Sequence, residues 1–327
     1  MEIMTTLPGV EPHAEAGGAF VSALALVVPV LMSMGRHDLA DAYIKRMEQV
    51  GGPLADRDPA IRGWLSYARG DRSLHQGEPW SVVELCQRAA ASFEEAGERQ
   101  YLIVMAHSYV GVGYAHLGAY AACREIGEAM LAQSEPDTMA SGAGKWLLAM
   151  ALIGVGELDA ARGGLMAEVE AMAARGAQLS VGPMRYLLAQ VELRRGDLEA
   201  AERAAREAIE LVASSPRLLI MVLAMLAEVL VRQGRAVEAL AVIERGFSVQ
   251  RSLPPAYAAV GHLSLVHAEA LAETGEHARA REALAEGRAA LLAQAERIGD
   301  PALRRSFLEA VPEHARLMAL SVSFRST

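Results

Sequence analysis

Leu188-Ala189-Gln190-Val191-Glu192-Leu193-Arg194-Arg195-Gly196-Asp197-Leu198-Glu199-Ala200-Ala201 is the stretch that decides the architecture of this chain. An apolar helical run ends at a glycine, an acidic residue follows directly, and a second helical run begins. The glycine returns as Gly35, Gly77, Gly118, Gly156, Gly196, Gly234 and Gly275, at spacings of 42, 41, 38, 40, 38 and 41 residues. Five positions after it stand Ala40, Val82, Cys123, Ala161, Ala201, Ala239 and Ala280. Seven positions before it stand Val28, Gly70, Gly111, Ala149, Ala189, Ala227 and Ala268. Small side chains flanking one turn let two helices approach closely. A period of this length predicts stacked helical hairpins, each covering only its neighbours.

The punctuation divides the chain accordingly. The spacing predicts hairpins over 19–34 with 37–50, 58–76 with 79–97, 99–117 with 120–133, and 142–155 with 157–174. They continue as 183–195 with 197–213, 216–233 with 236–250, and 255–274 with 276–297. The turn glycine supplies the left-handed residue that ends the first helix. Glu78, Glu157, Asp197 and Glu276 then complement the positive end of the second. Ser215-Pro216 places a cap and a first-turn proline, and Leu253-Pro254-Pro255 separates the last two hairpins. The expected organisation is a leader over 1–18, a repeat domain over 19–297, one capping helix over 298–320 that Pro312 kinks, and a tail over 321–327.

Composition narrows the function. Of 327 residues, 52% are hydrophobic and only 5% aromatic, which favours helix and argues against long disordered segments. The net charge is -9 and no Lys/Arg run is present, so nucleic acid is not an expected partner. Two cysteines, Cys86 and Cys123, give no disulfide framework and fit a reducing, cytoplasmic compartment. The apolar stretch Ala19 to Met34 has 16 residues, short of the ~20 a span requires. Glu11 and Glu15 stand where a signal peptide would be basic. It reads as a buried first helix, without membrane association, and as a surface through which a homodimer would form.

Leu188-Ala189 with Gly196-Asp197-Leu198-Glu199-Ala200-Ala201, and Leu148-Ala149 with Gly156-Glu157-Leu158-Asp159-Ala160-Ala161, resemble the tetratricopeptide repeat in its longer-helix form. The end of the chain, Ala295-Glu296-Arg297-Ile298-Gly299-Asp300-Pro301 and Arg304-Arg305-Ser306-Phe307-Leu308-Glu309-Ala310-Val311-Pro312-Glu313, resembles the terminus of large, myxobacterial-type serine/threonine kinases that join kinase, ATPase and helical-repeat parts. The resemblance implies an all-α, right-handed superhelical solenoid of about seven TPR-like hairpins plus a C-terminal capping helix. It also implies a tail that binds partners while the chemistry lies upstream.

Catalytic signatures fail on inspection. Gly142-Ala143-Gly144-Lys145-Trp146 has Trp146 where a phosphate loop needs a hydroxyl, and no strand precedes it. His262 and His267 lie five apart, off the i, i+4 spacing of a helical metal pair. Neither a metal nor a cofactor is expected, and the chain reads as a non-enzyme.

Aligning the first helix of each hairpin on its glycine gives a binding surface instead. Its concave positions carry Trp64, Tyr67, Met105, Ser108, Trp146, Met150, Tyr186, Gln190, Met221, Glu228 and His262, with a rim of His116, Arg194 and Arg232. Aromatics and Met suit peptide or apolar-ligand recognition, and Arg suits carboxylates. Filling the space between neighbouring helices is the competing role for the same side chains. The leading expectation is a protein-interaction scaffold that holds a peptide or partner helix in its concave groove. The alternative is a sensor enclosing a small apolar ligand, and a closed cavity rather than an open groove would favour it.

Overall fold

The computed structural model describes residues 14–135, 138–174, 176, 178–257 and 261–323, and these form helices and turns without strands. Seven hairpins follow in order: α1 (Ala14–Ser33) with α2 (His37–Gly51), α3 (Pro59–His75) with α4 (Pro79–Glu95), α5 (Gln100–His116) with α6 (Tyr120–Ala132), and α7 (Met139–Val155) with α8 (Leu158–Ala174). Then come α9 (Gln178–Arg195) with α10 (Leu198–Leu211), α11 (Pro216–Arg232) with α12 (Ala236–Arg251), and α13 (Gly261–Glu273) with α14 (His277–Glu296). They stack as a right-handed superhelical solenoid.

The repeat glycines do what their spacing predicts. All seven have φ between 71° and 86°, the left-handed region in which a Cβ costs ~1–2 kcal/mol. At Gly156 the next two N–H groups turn back onto the helix, with Gly156 donating to Ile153 O at 3.1 Å and Glu157 to Leu152 O at 2.9 Å. The residues five past each glycine are all buried, with 1% exposure or less. A Cβ on Gly70 would lie 2.4 Å from Cys86 Sγ, and one on Gly111 2.5 Å from Leu147. Those small residues are where helices touch. Asp197 caps α10 through Ala200 N at 2.9 Å. Ser215 precedes Pro216 as expected, but its side chain makes no capping bond.

Three expectations need correction. Helix α1 begins at Ala14, inside the expected leader, whose residues 1–13 lie outside the described ones. Its face is not wholly buried, since Leu26, Val27, Val30 and Met34 are 41–55% exposed. As the first helix of the stack it has neighbours, α2 and α3, on one side only. The single capping helix is two, α15 (Pro301–Glu309) and α16 (Pro312–Ser323). Pro312 has no N–H for a continuing helix and starts α16, which runs into the expected tail; 324–327 lie outside the described residues. Asp300 caps α15 by accepting from Ala302 N at 2.7 Å and Leu303 N at 2.9 Å.

The solenoid comes back onto itself. Arg297, after α14, pairs with Glu78 before α4 at 2.6 Å. A Cβ on Gly299 would touch Trp80 Nε1 at 3.3 Å. One on Gly118, in the α5–α6 turn, would lie 2.9 Å from Ser306 O and 3.0 Å from the Ala310 Cβ of the α15 end. Phe307 and Ile298 share one apolar core with Val82, Val83 and Leu117. On the other side, the Gly35 turn meets Pro216 at the start of α11, where a Cβ would lie 2.7 Å from the ring. The concave side is therefore bordered by hairpins two to seven and the C-terminal helices.

Candidate functional site

The walls line a partly open cavity of about 1150 Å³. That is above the ~300–1,000 Å³ typical of small-molecule pockets. The first helix of each successive hairpin contributes one stripe. From α5 come Ser108 and His116, from α7 Trp146 and Met150, and from α9 Tyr186, Gln190 and Arg194. From α11 come Met221, Glu228 and Arg232, and from α13 His262. These candidates from the sequence register share one chamber. Of these candidates Arg194 and Arg232 are the exposed ones, and Arg194 also donates to Ile153 O.

Trp64, Tyr67 and Met105 do not line it. Trp64 stacks edge-on to Phe93, with centroids 5.1 Å apart, and Tyr67 to Tyr109 at 5.2 Å. Gly63 clears the room for Phe93, whose ring would lie 2.6 Å from a Cβ there. Helix α3 lies between α1, α4 and α5, so its large side chains fill the space between helices. Met105 packs on the same core.

Several wall residues escaped the alignment, among them Tyr120 of α6 and Glu168 and Met172 of α8. Phe307, Val311, Glu313, His314 and Arg316 come from α15, α16 and the turn between them, which carry no turn glycine to align on. Arg217 comes from the first turn of α11, four residues before Met221 and on the same face. Extending the register by one helical turn would have found it.

Polar chemistry differs around the wall. On one side Glu228 accepts from His262 Nε2 at 2.8 Å and from Arg316 at 2.9 Å, and Arg316 also reaches Glu269 at 2.6 Å. Burial pushes Glu228 up, but the His262 hydrogen bond and the charges of His262 and Arg316 outweigh it and hold its pKa at about 2. Burial raises Glu269 to about 7 against the same Arg316. His262 would be lowered by burial, yet Glu228 raises it. This network ties α16 to α11 and α13.

The other side carries Arg217, His75, His116 and Trp146, with Asp71 behind them. Burial, with help from Arg217, depresses His75 and His116 to about 3 and keeps both neutral. Asp71, 1% exposed, accepts from Tyr109 at 2.7 Å, and burial raises it to about 7. Its second oxygen, His75 Nδ1 and Trp146 Nε1 are buried without hydrogen-bond partners. Among the described residues no group of three His, Cys, Asp or Glu could hold a metal ion, and no helix is long and apolar enough to cross a membrane.

A fold of this class is found among solved helical-repeat proteins, as structure comparison shows. NprR in complex with its cognate peptide NprX aligns at TM-score 0.65 and 12% identity, over 100% of this chain and 91% of that one. A Rap protein complexed with competence and sporulation factor aligns at 0.62 and 12%, over 94% and 98%. The Rap conjugation gene regulator of plasmid pLS20, in complex with the Phr* peptide, aligns at 0.59 and 12%, over 95% and 96%. At this identity the likeness is one of fold. No family model matches the sequence, and no curated protein matches it.

Proposed function

We propose that this chain is a non-catalytic peptide receptor of bacterial signalling, which encloses a short peptide within its superhelix and passes the bound state to a partner protein. The observation that carries this reading is the 1150 Å³ chamber, walled by Met, Tyr and Trp side chains with charged groups at separate points. A volume above the small-molecule range, with polar groups spaced along an apolar wall, suits an oligopeptide: side chains enter apolar pockets while charges fix register. The peptide-bound relatives of the same fold support it. The resemblance of the terminus to kinase and ATPase tails supports a cytoplasmic signalling context. The second reading, an apolar small-ligand sensor, is supported by Met150, Met184, Met221 and Met225, which give the wall an adaptable apolar surface.

The test is native mass spectrometry after incubation with the peptide fraction of cells that express the chain. A Met150→Trp/Met221→Trp variant, which narrows the chamber with two indoles, is run beside the wild type. A peptide adduct on the wild type that the variant lacks is the expected result. A non-peptide apolar adduct selects the sensor reading, and the same adduct on both proteins removes the chamber from the function.

A further inference from the structure

Among the described residues, Arg217 makes no hydrogen bond or ion pair, although it is half-buried on the chamber wall. The other wall arginines are placed differently. Arg316 is held by Glu228 and Glu269, Arg194 donates to a carbonyl, and Arg232 is exposed. A guanidinium stays charged whatever its surroundings, so Arg217 is a half-buried cation that faces the chamber without a bonded counter-charge. The groups that feel it do not neutralise it. His75 and His116 are uncharged and Tyr186 is a phenol, while Asp71, with one oxygen on Tyr109, favours the cation from a distance but makes no ion pair with it. Glu313, the unpaired wall carboxylate, acts instead on Tyr120, Tyr186 and His314.

The local backbone adds to this. Arg217 is in the first turn of α11, whose cap residue Ser215 makes no side-chain capping bond. Ser215 and Leu218 also face the chamber, which leaves first-turn N–H groups for an acceptor. Trp146, whose buried Nε1 has no acceptor, also lines the chamber.

We infer that Arg217 reads a carboxylate of the enclosed peptide, either its C-terminus or an acidic side chain. This rests on the peptide reading above and adds the ligand's charge to it. The planar fork of a guanidinium matches a carboxylate in two parallel hydrogen bonds. The carboxylates elsewhere on the wall, Glu168, Glu228 and Glu313, disfavour a doubly charged phosphate in the same space.

Affinity-selection mass spectrometry with two synthetic heptapeptide libraries, one free-acid and one C-terminally amidated, tests it on wild type, R217M and R217K. The wild type should favour carboxylate-bearing peptides by about 10- to 100-fold. R217M should lose that preference while still retaining amidated neutral peptides, and R217K should fall between. Preference for free acids without Asp or Glu enrichment identifies the C-terminus, whereas Asp or Glu enrichment among amides identifies a side chain. Thermal unfolding is the folding control. R217M removes an unpaired cation and should be at least as stable as wild type, so a loss of stability would mean that Arg217 holds the wall instead. Peptide binding with no carboxylate preference, or a preference that survives in R217M, overturns the inference and leaves the receptor reading standing. If neither library binds, the receptor reading fails, and N-acetylphenylalanine against its amide decides the subsite. Stabilisation of wild type but not R217M by the acid alone sustains it, and its absence overturns it.

Discussion

Gly118→Ala measures how far contact with the C-terminal helices stabilises the ring, with Gly196→Ala as its control. Both glycines are left-handed, with φ of 73° and 86°, so both variants carry the same backbone penalty of ~1–2 kcal/mol. Their surroundings differ. Around Gly196 nothing lies within 4 Å of the new Cβ, whereas at Gly118 it meets Ser306 O at 2.9 Å and the Ala310 Cβ at 3.0 Å. One of these atoms is backbone, so the α15 end must move away. Overpacking of this kind costs a further ~1–3 kcal/mol. Gly118→Ala is therefore expected to lose ~2–5 kcal/mol in all and Gly196→Ala ~1–2. Hydrogen exchange localises the difference: amides of residues 301–323 should exchange ~5- to 150-fold faster in Gly118→Ala, with no such change in Gly196→Ala. Equal losses in the two variants, with residues 301–323 equally protected, would refute closure through this turn.

Glu228→Gln should lower the pKa of His262, measured by NMR titration of the ring. The hydrogen bond that raises it is weakened, and the stability it adds below its ordinary value, lost as pH rises through the raised one, should shrink. Asp71→Asn should flatten part of the pH dependence of unfolding. A buried carboxyl raised to about 7 keeps its proton in the folded state from ~4 upward, so wild-type stability falls as pH rises across that window. Asn keeps an acceptor for Tyr109, and urea midpoints at the two ends of the window should draw together; an unchanged slope would contradict a buried Asp71. Light scattering should show a dimer that Val30→Glu converts to monomer, because Leu26, Val27, Val30 and Met34 leave an apolar stripe on α1; a monomeric wild type at high concentration would refute it.

The hairpins were legible because each turn needs a residue without a Cβ, and that need writes itself into the sequence at a fixed period. The register of the first helices is legible for the same reason from α5 onward, Met105 excepted, and it brings Trp146, Tyr186, Met221 and His262 to one chamber. It failed at α3, where Gly63 and Phe93 draw Trp64 into packing; nothing in a periodic alignment distinguishes a side chain that lines a space from one that fills it. Arg217 was missed by a single helical turn. The C-terminal wall could not be read, because its position depends on contacts such as Arg297 with Glu78, 219 residues apart in sequence, which no local pattern encodes.

That long-range contact changes how the molecule comes apart. An open array sheds repeats from its ends, each loss removing one interface and leaving the rest intact. Here the seventh hairpin and its following helices border the sixth on one side and the second and third on the other. Removing them breaks two seams at once, so shortening the chain from its C-terminus should abolish folding abruptly instead of eroding it in steps. The closing seam also forms late, since its partners must find each other across most of the chain, and that delays completion of the fold relative to a linear stack of the same hairpins.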